Sequence, residues 1–230
     1  MHSRIFNIVV EGKDDIFAYR RLPSYFPEGD VAIVPTGGRA TLLKVYDLVS
    51  AASEPKKLCF IADLDTWAVL GVPNVYRTSP ILFTSGASIE NDLFDDYDYL
   101  KLLTPKEKSC FAADLGNLVP WYAAAVSGLV PEHLSLSKNA KRVLDHPDLA
   151  EHIVELRQQK LFPEALEARI QAAPHRLIRG KTIFDLLLLQ LSNSSRTSKF
   201  SRQNLFEIGA AHEGSNMVRL LEGIKSVYNS

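Results

Sequence analysis

Asn7-Ile8-Val9-Val10-Glu11-Gly12-Lys13-Asp14-Asp15 is the stretch on which the reading of this chain turns. Its first four residues are uncharged and rich in β-branched side chains, and they stop on a carboxylate and a glycine. That pattern reads as a buried strand running into a tight loop. Further on, Leu58-Cys59-Phe60-Ile61-Ala62 stops in the same way on Asp63-Leu64-Asp65. A doubly wound sheet gathers its working groups at the carboxyl ends of its strands. Neighbouring parallel strands lie ~5 Å apart, so acids at two adjacent tips could share one divalent cation. Mg²⁺ suits such a place, because it is commonly held by one or two carboxylates together with phosphate oxygens of a substrate.

The segments around these two runs alternate. A strand at 5–10 leads to a helix from Asp14 to about Tyr25, and a second strand spans Val31–Val34. Pro35-Thr36-Gly37-Gly38 reads as a turn, and Arg39 to Ala52 as a helix. Leu58–Ala62 is the third strand and Ile81–Phe83 the fourth. Strands separated by single helices imply an α/β fold with a parallel, Rossmann-like sheet flanked by helices. After about residue 100 the pattern becomes mainly helical. The expected organisation is a unit over 1–100 followed by a more basic helical region over 101–230. Thr104-Pro105-Lys106-Glu107 reads as a helix start with a capping box. Further helices are expected near 118–129, 147–160, 163–172, 181–191, 201–210 and 214–227. Ser192 to Ser198 is small and polar, the composition of a mobile loop.

Composition fits an ordinary globular chain of 230 residues, 46% hydrophobic. Its longest apolar run, around Leu186-Leu187-Leu188-Leu189, is too short to span a bilayer. The first strand begins almost at the first residue, so no signal peptide is expected. Two cysteines, Cys59 and Cys110, support neither a disulfide framework nor a cysteine-rich zinc site. A cytoplasmic, non-membrane protein is the expectation. The six histidines show no paired metal-ligand spacing, and none is assigned a role.

A resemblance gives these acids a chemical meaning. Val10-Glu11-Gly12-Lys13-Asp14-Asp15 followed by Asp63-Leu64-Asp65 resembles the Toprim domain of topoisomerases, primases and OLD-type nucleases. Ser85-Gly86-Ala87-Ser88-Ile89-Glu90-Asn91 resembles the Ser-x-Glu-Asn segment of Toprim-like proteins that act beside ABC-type ATPases in phage defence, such as PARIS-type systems. The resemblance covers roughly residues 1–100. It implies a Toprim-type sheet and a Mg²⁺- or Mn²⁺-dependent nuclease using one or two ions. It also implies a DNA or RNA substrate (tRNA included), an ABC-type ATPase partner and self-association as a homodimer. Under it, Glu11 and Asp63 hold one ion with Asp65 assisting, and Asp15 and Glu90 serve a second. OLD-like nucleases carry a downstream lysine that stabilises charge on the phosphate, which makes Lys181 a candidate catalytic residue here. The alternative is a non-catalytic Toprim-like module that binds and regulates an ATPase.

Each of these residues also has a plainer reading. Asp14 and Asp15 open a helix, where carboxylates are favoured in any case. Asp65 could be a turn acid, and Ser88 and Asn91 could simply satisfy backbone groups. Gly37-Gly38-Arg39 could form a phosphate-binding turn before a helix or an ordinary tight turn. Lys181 could be an exposed first-turn lysine. His175 stands where a Walker loop needs its first glycine, which excludes a P-loop around Gly180-Lys181-Thr182.

Charge is distributed unevenly. Residues 1–137 hold 12 Lys/Arg against 17 Asp/Glu, and residues 138–230 hold 14 against 10. Arg176, Arg179, Lys181, Arg196, Lys199 and Arg202 fall in one stretch with a single acid, Asp185. These six are the candidate nucleic-acid contacts, since a basic surface beside an acidic metal site suits a polyanion. The competing reading is that they solvate helix faces.

Overall fold

The computed structural model describes residues 5–51 and 57–230. Four strands, β1 (Phe6–Val10), β2 (Val31–Pro35), β3 (Leu58–Ala62) and β4 (Leu82–Phe83), form a parallel sheet in the order β2-β1-β3-β4. β1 lies between β2 and β3, with Ile8 opposite both Ile33 and Cys59. The two apolar runs singled out in the sequence are therefore adjacent central strands. The expected strands agree to within a residue at each end. Ala52, where the second helix was expected to finish, lies outside the described residues.

Between and after the strands run thirteen described helices. They are α1 (Asp15–Tyr19), α2 (Arg39–Ser50), α3 (Trp67–Leu70), α4 (Asn74–Arg77), α5 (Ile89–Asp96), α6 (Pro105–Val126), α7 (Ala140–Leu144), α8 (Leu149–Gln158), α9 (Glu164–Ala172), α10 (Pro174–Leu177), α11 (Gly180–Leu191), α12 (Arg202–Ala210) and α13 (Ser215–Tyr228). Two helix boundaries differ from the sequence expectation, and both differences turn on a proline. The first helix stops at Tyr19, and Leu22–Tyr25 is a separate 3₁₀ turn with Pro23 in it, because proline lacks the amide a continuing helix needs. Conversely, the two helices expected on either side of residue 118 are one. α6 runs through Pro120, and Leu118, Val119, Trp121, Tyr122 and Ala123 around it are all buried. Packing of that apolar stretch outweighs the local cost of the proline.

The period of two in a strand explains the two sides of the sheet. Phe6, Ile8, Val10, Cys59 and Ile61 point into a large core shared with α5, α6 and the C-terminal helices. Val9, Phe60 and Ala62 point the other way, into a smaller core under Leu42 of α2. The C-terminal helices pack on the sheet itself: α13 lies against β3 and β4, and α12 against α1. Tyr228 at the end of α13 packs edge-on to Phe6 and donates to Asp30 at 3.0 Å.

One polar clamp holds the helical half. Thr104 caps α6 and exchanges bonds with Glu107, as its sequence implies. Glu107 also takes two guanidinium bonds from Arg196, at 2.6 and 2.8 Å, and Arg196 donates to the Leu102 carbonyl at 2.8 Å. The polar loop from Ser192 to Ser198 is thus tied to the start of α6. Arg196 holds Glu107 at about 2, below its ordinary 4.5, with the Thr104 amide assisting. A carboxyl depressed on folding contributes stability that is complete above pH 4.5 and is lost as pH falls through 2. Glu107→Gln should lower unfolding free energy at pH 7 by about 1.5–3 kcal/mol. It should also flatten the acid limb between pH 4.5 and 2. Chemical denaturation at several pH values measures both, and unchanged curves would show that the clamp is immaterial.

Candidate functional site

The carboxyl ends of β1 and β3 carry the site. Glu11 is the first residue after β1 and Asp63 the first after β3. Because the strands are neighbours, the Asp63 amide donates to Glu11 Oε1 at 2.9 Å. Asp63 Oδ1 in turn accepts the Ile89 amide, at the start of α5, at 3.1 Å. Glu90 is the next residue. Asp15 folds back so that its Oδ2 accepts the Gly12 amide at 2.8 Å. Asp65 adopts a left-handed backbone, φ 46°, an uncommon state for a non-glycine residue. Its amide is bonded to the Ala87 carbonyl, which fixes the loop after β3 against the loop before α5.

The electrostatics show how closely these acids are gathered. Burial pushes Glu11 up to about 7, and the charges of Asp65 and Asp15 add to the effect, against the Asp63 amide and Arg39. Burial likewise raises Asp15 to about 6, with Glu90 and Asp14 contributing. Asp63 is raised well above the carboxylate range by burial and by the charges of Glu11, Asp15, Glu90 and Asp65. Five carboxylates from three segments therefore lie within one another's fields. They offer hard oxygen donors whose negative charge two arginines offset only in part, a donor set that fits Mg²⁺ or Mn²⁺. Glu11, Asp15 and Asp63 turn their carboxylates toward backbone amides, while Asp65 faces Arg39 and Glu90 accepts from the Ser88 hydroxyl. Among the described residues, no three of these acids bring their ligand oxygens within 4.8 Å of one another.

Two arginines approach the cluster. Arg39, at the start of α2, lies 3.4 Å from Asp65 Oδ2, donates to the Leu64 carbonyl at 2.8 Å, and stacks over Trp67 at 4.4 Å. Trp67 stacks in turn on Tyr76. In the sequence Gly37-Gly38-Arg39 marks a turn, with no role assigned to Arg39 itself. Its only sequence signal is its place at a helix start after two glycines. Arg202, from α12, lies 3.7 Å from Glu90 Oε1 and is paired with Asp185 of α11. Its Nη1 is buried without a hydrogen-bond partner.

The Ser88–Asn91 segment is mostly architecture. Ser88 donates to Glu90 at 2.6 Å. Asn91 accepts the Ser88 amide and donates to the His175 and Ile178 carbonyls at 2.6 and 2.8 Å. Asp92, which in the sequence opens an acidic stretch at the transition to the helical region, is fully buried and accepts the Ser85 and Gly86 amides. Burial raises it to about 6. It anchors the loop that leads into α5 and so to Glu90.

The six basic candidates are divided among different contacts. Arg176 pairs with Asp95 at 2.9 Å, Arg196 with Glu107, and Arg202 with Asp185 and Glu90. Arg179 reaches the Leu136 carbonyl. Lys181 is exposed in the first turn of α11, next to Gly180, which packs on Ser88, Glu90 and Asn91. Lys199 is exposed beside a surface cavity formed with α12. No protein-family model and no curated protein matches the chain.

Gly180 brings α11 into close contact with the acid segment. A Cβ there would collide with Ser88 Oγ and lie 2.6 Å from Asn91 Oδ1 and 2.7 Å from Glu90 Cβ. Gly180→Ala should therefore lower stability by about 1–3 kcal/mol, despite alanine's better helix propensity. Calorimetry measures it, and a melting temperature at or above wild type would show that α11 yields freely at this contact.

Proposed function

We propose that this protein is a metal-dependent phosphodiesterase acting on nucleic acid, with a Toprim-type site. The observation that carries the reading is the direct link of Glu11 and Asp63 across adjacent parallel strands, with Asp15, Asp65 and Glu90 gathered around them. This many acids repel one another and any phosphate, so a nucleic-acid role requires a cation among them. Glu11 and Asp63, with Asp65, would hold the first ion, and Asp15 and Glu90 a second. Bound there, Mg²⁺ or Mn²⁺ would supply Lewis-acid charge to the phosphate and lower the pKa of a water molecule.

The rest of the chemistry falls to the protein's own groups. Arg39 is held by the Leu64 carbonyl and the Trp67 ring and carries charge that Asp65 only partly offsets. It is the cation best placed to bind a phosphate oxygen at this edge, in the part the sequence reading gave to Lys181. Lys181 follows Gly180, which packs on Glu90, and could add charge from the side of α11. Ser88 and Asn91 keep Glu90 at the site through bonds within α5 and to the α10–α11 connection. By the sequence resemblance, the protein would be the nuclease effector of an anti-phage system with an ABC-type ATPase partner, and self-association would belong to that assembly.

Purified protein with plasmid, single-stranded DNA and total tRNA in Mg²⁺ or Mn²⁺ tests the reading. Glu11→Gln and Asp63→Asn should each reduce cleavage by about 100-fold or more, and Arg39→Ala should do so with a larger effect on kcat than on KM. Full cleavage by Glu11→Gln would refute the site. Absence of cleavage by wild type on every substrate would favour the non-catalytic, ATPase-binding module.

A measurement of stability checks the electrostatics independently. Glu11 and Asp15 sit at about 7 and about 6, above their ordinary 4.5 and 3.8. Carboxyls raised on folding contribute stability that is complete below their ordinary values and drains away as pH climbs through the raised ones. Chelator-treated protein should thus lose stability between pH 4 and 7, and Asp63→Asn should be as stable as wild type or more so at pH 8. Mg²⁺ should raise the melting temperature at pH 8 and have little effect at pH 5. The same Mg²⁺ effect at both values would place binding elsewhere.

A further inference from the structure

On elements separate from the acid site, the fold brings together residues that the sequence keeps apart. His133 lies in the 3₁₀ turn Glu132–Leu134, and His146 and Asp148 lie in the link between α7 and α8. One ligand atom from each of the three lies within 4.8 Å of the others. The two imidazole rings stack with centroids 4.7 Å apart, and His146 Nδ1 is 4.0 Å from Asp148 Oδ2. Asp148 occupies the cap position of α8, yet its side chain makes no capping bond. The usual reason for an aspartate there is thus not in use.

The same corner opens into a cavity of about 220 Å³ lined by His133, Asp148, Glu151, His152 and Glu155, with Pro131 and Leu134. No lysine or arginine is among these lining residues, so the cavity's field favours a cation. His152 Nε2 lies 2.7 Å from the Leu129 carbonyl oxygen. A carbonyl only accepts, so Nε2 carries the hydrogen and Nδ1 of the neutral ring keeps its lone pair. Metal-binding histidines are oriented in this way.

We infer that His133, His146 and Asp148 form a surface site for a borderline divalent ion of the Zn²⁺ class, with His152 and Glu151 beside it to complete the shell. Imidazole nitrogen with one carboxylate selects such ions, whereas Mg²⁺ prefers oxygen alone. Tetrahedral Zn²⁺ with bonds of about 2.0–2.1 Å needs ligand atoms ~3.4 Å apart. His133 and Asp148 are exposed, so their rings and carboxylate can close that gap by rotation. Binding ties the turn after α6 to the start of α8, and it does not depend on the catalytic reading of the acid cluster.

Calorimetric titration of untagged, metal-stripped full-length protein with Zn²⁺ tests the site, with Co²⁺ absorption reporting nitrogen ligation. One saturable equivalent is expected, with excess Mg²⁺ failing to displace it. His133→Ala and His146→Ala should each weaken it by about tenfold or more, while Glu11→Gln and Asp63→Asn should retain it. Circular dichroism confirms folding, and His133→Gln serves as the milder variant. No Zn²⁺ uptake, or uptake unchanged in both histidine variants, overturns the inference. Loss of the equivalent in Glu11→Gln instead assigns the ion to the acids and overturns it equally.

Discussion

The hydrogen bond from the Asp63 amide to Glu11 Oε1 is the contact on which the candidate site depends. It exists because β1 and β3 are parallel neighbours, so their carboxyl ends finish side by side. Everything else at the site is referred to this pair. Asp63 receives the Ile89 amide, which sets the start of α5 and hence Glu90. Asp65 is bound through its amide to Ala87 and through its carboxylate to Arg39, which sets the start of α2 against the same tip. Such a gathering of buried charge opposes folding, since each carboxylate is desolvated and repelled by its neighbours. Backbone amides offset part of that cost, and the large apolar core beneath the sheet supplies the remainder.

The helical C-terminal half is joined to this site in structure as well as in sequence. α12 and α13 cover the N-terminal elements, and α11 reaches the acid segment at Gly180. Arg202 links Asp185 to Glu90, and Asn139 extends the chain of polar contacts to α7 through its 2.7 Å bond to Asp185. A change in the packing of α11 or α12 is therefore felt at Glu90.

The basic stretch shows how sequence charge can mislead. Six cations with one acid between Arg176 and Arg202 suggest an open positive surface. Folding sets Arg176 against Asp95 and Arg196 against Glu107, acids distant in sequence, so part of that charge is neutralised within the molecule. The histidines show the converse. His133 and His146 have no metal-ligand spacing, yet the turn after α6 and the link after α7 bring them into contact.

The sequence by itself determined the strand runs, their parallel α/β arrangement, the capping box at Thr104 and the acids at the strand ends. These features are local: periodicity, caps and the abrupt end of an apolar run on a carboxylate act within a few residues. It also singled out Glu11, Asp63 and Asp65, because a charge at the end of a buried run stands out against its neighbours, whereas Asp15 and Glu90 were marked only by the resemblance of their segments to Toprim-like proteins. Only the tertiary structure decided that β1 and β3 are adjacent, that Arg39 rather than a C-terminal cation stands beside Asp65, that Asp92 is a buried anchor, and that α6 continues through Pro120. Each of those outcomes rests on contacts between segments far apart in the chain. Their energies come from burial, and from pairing buried charges, which no local pattern records.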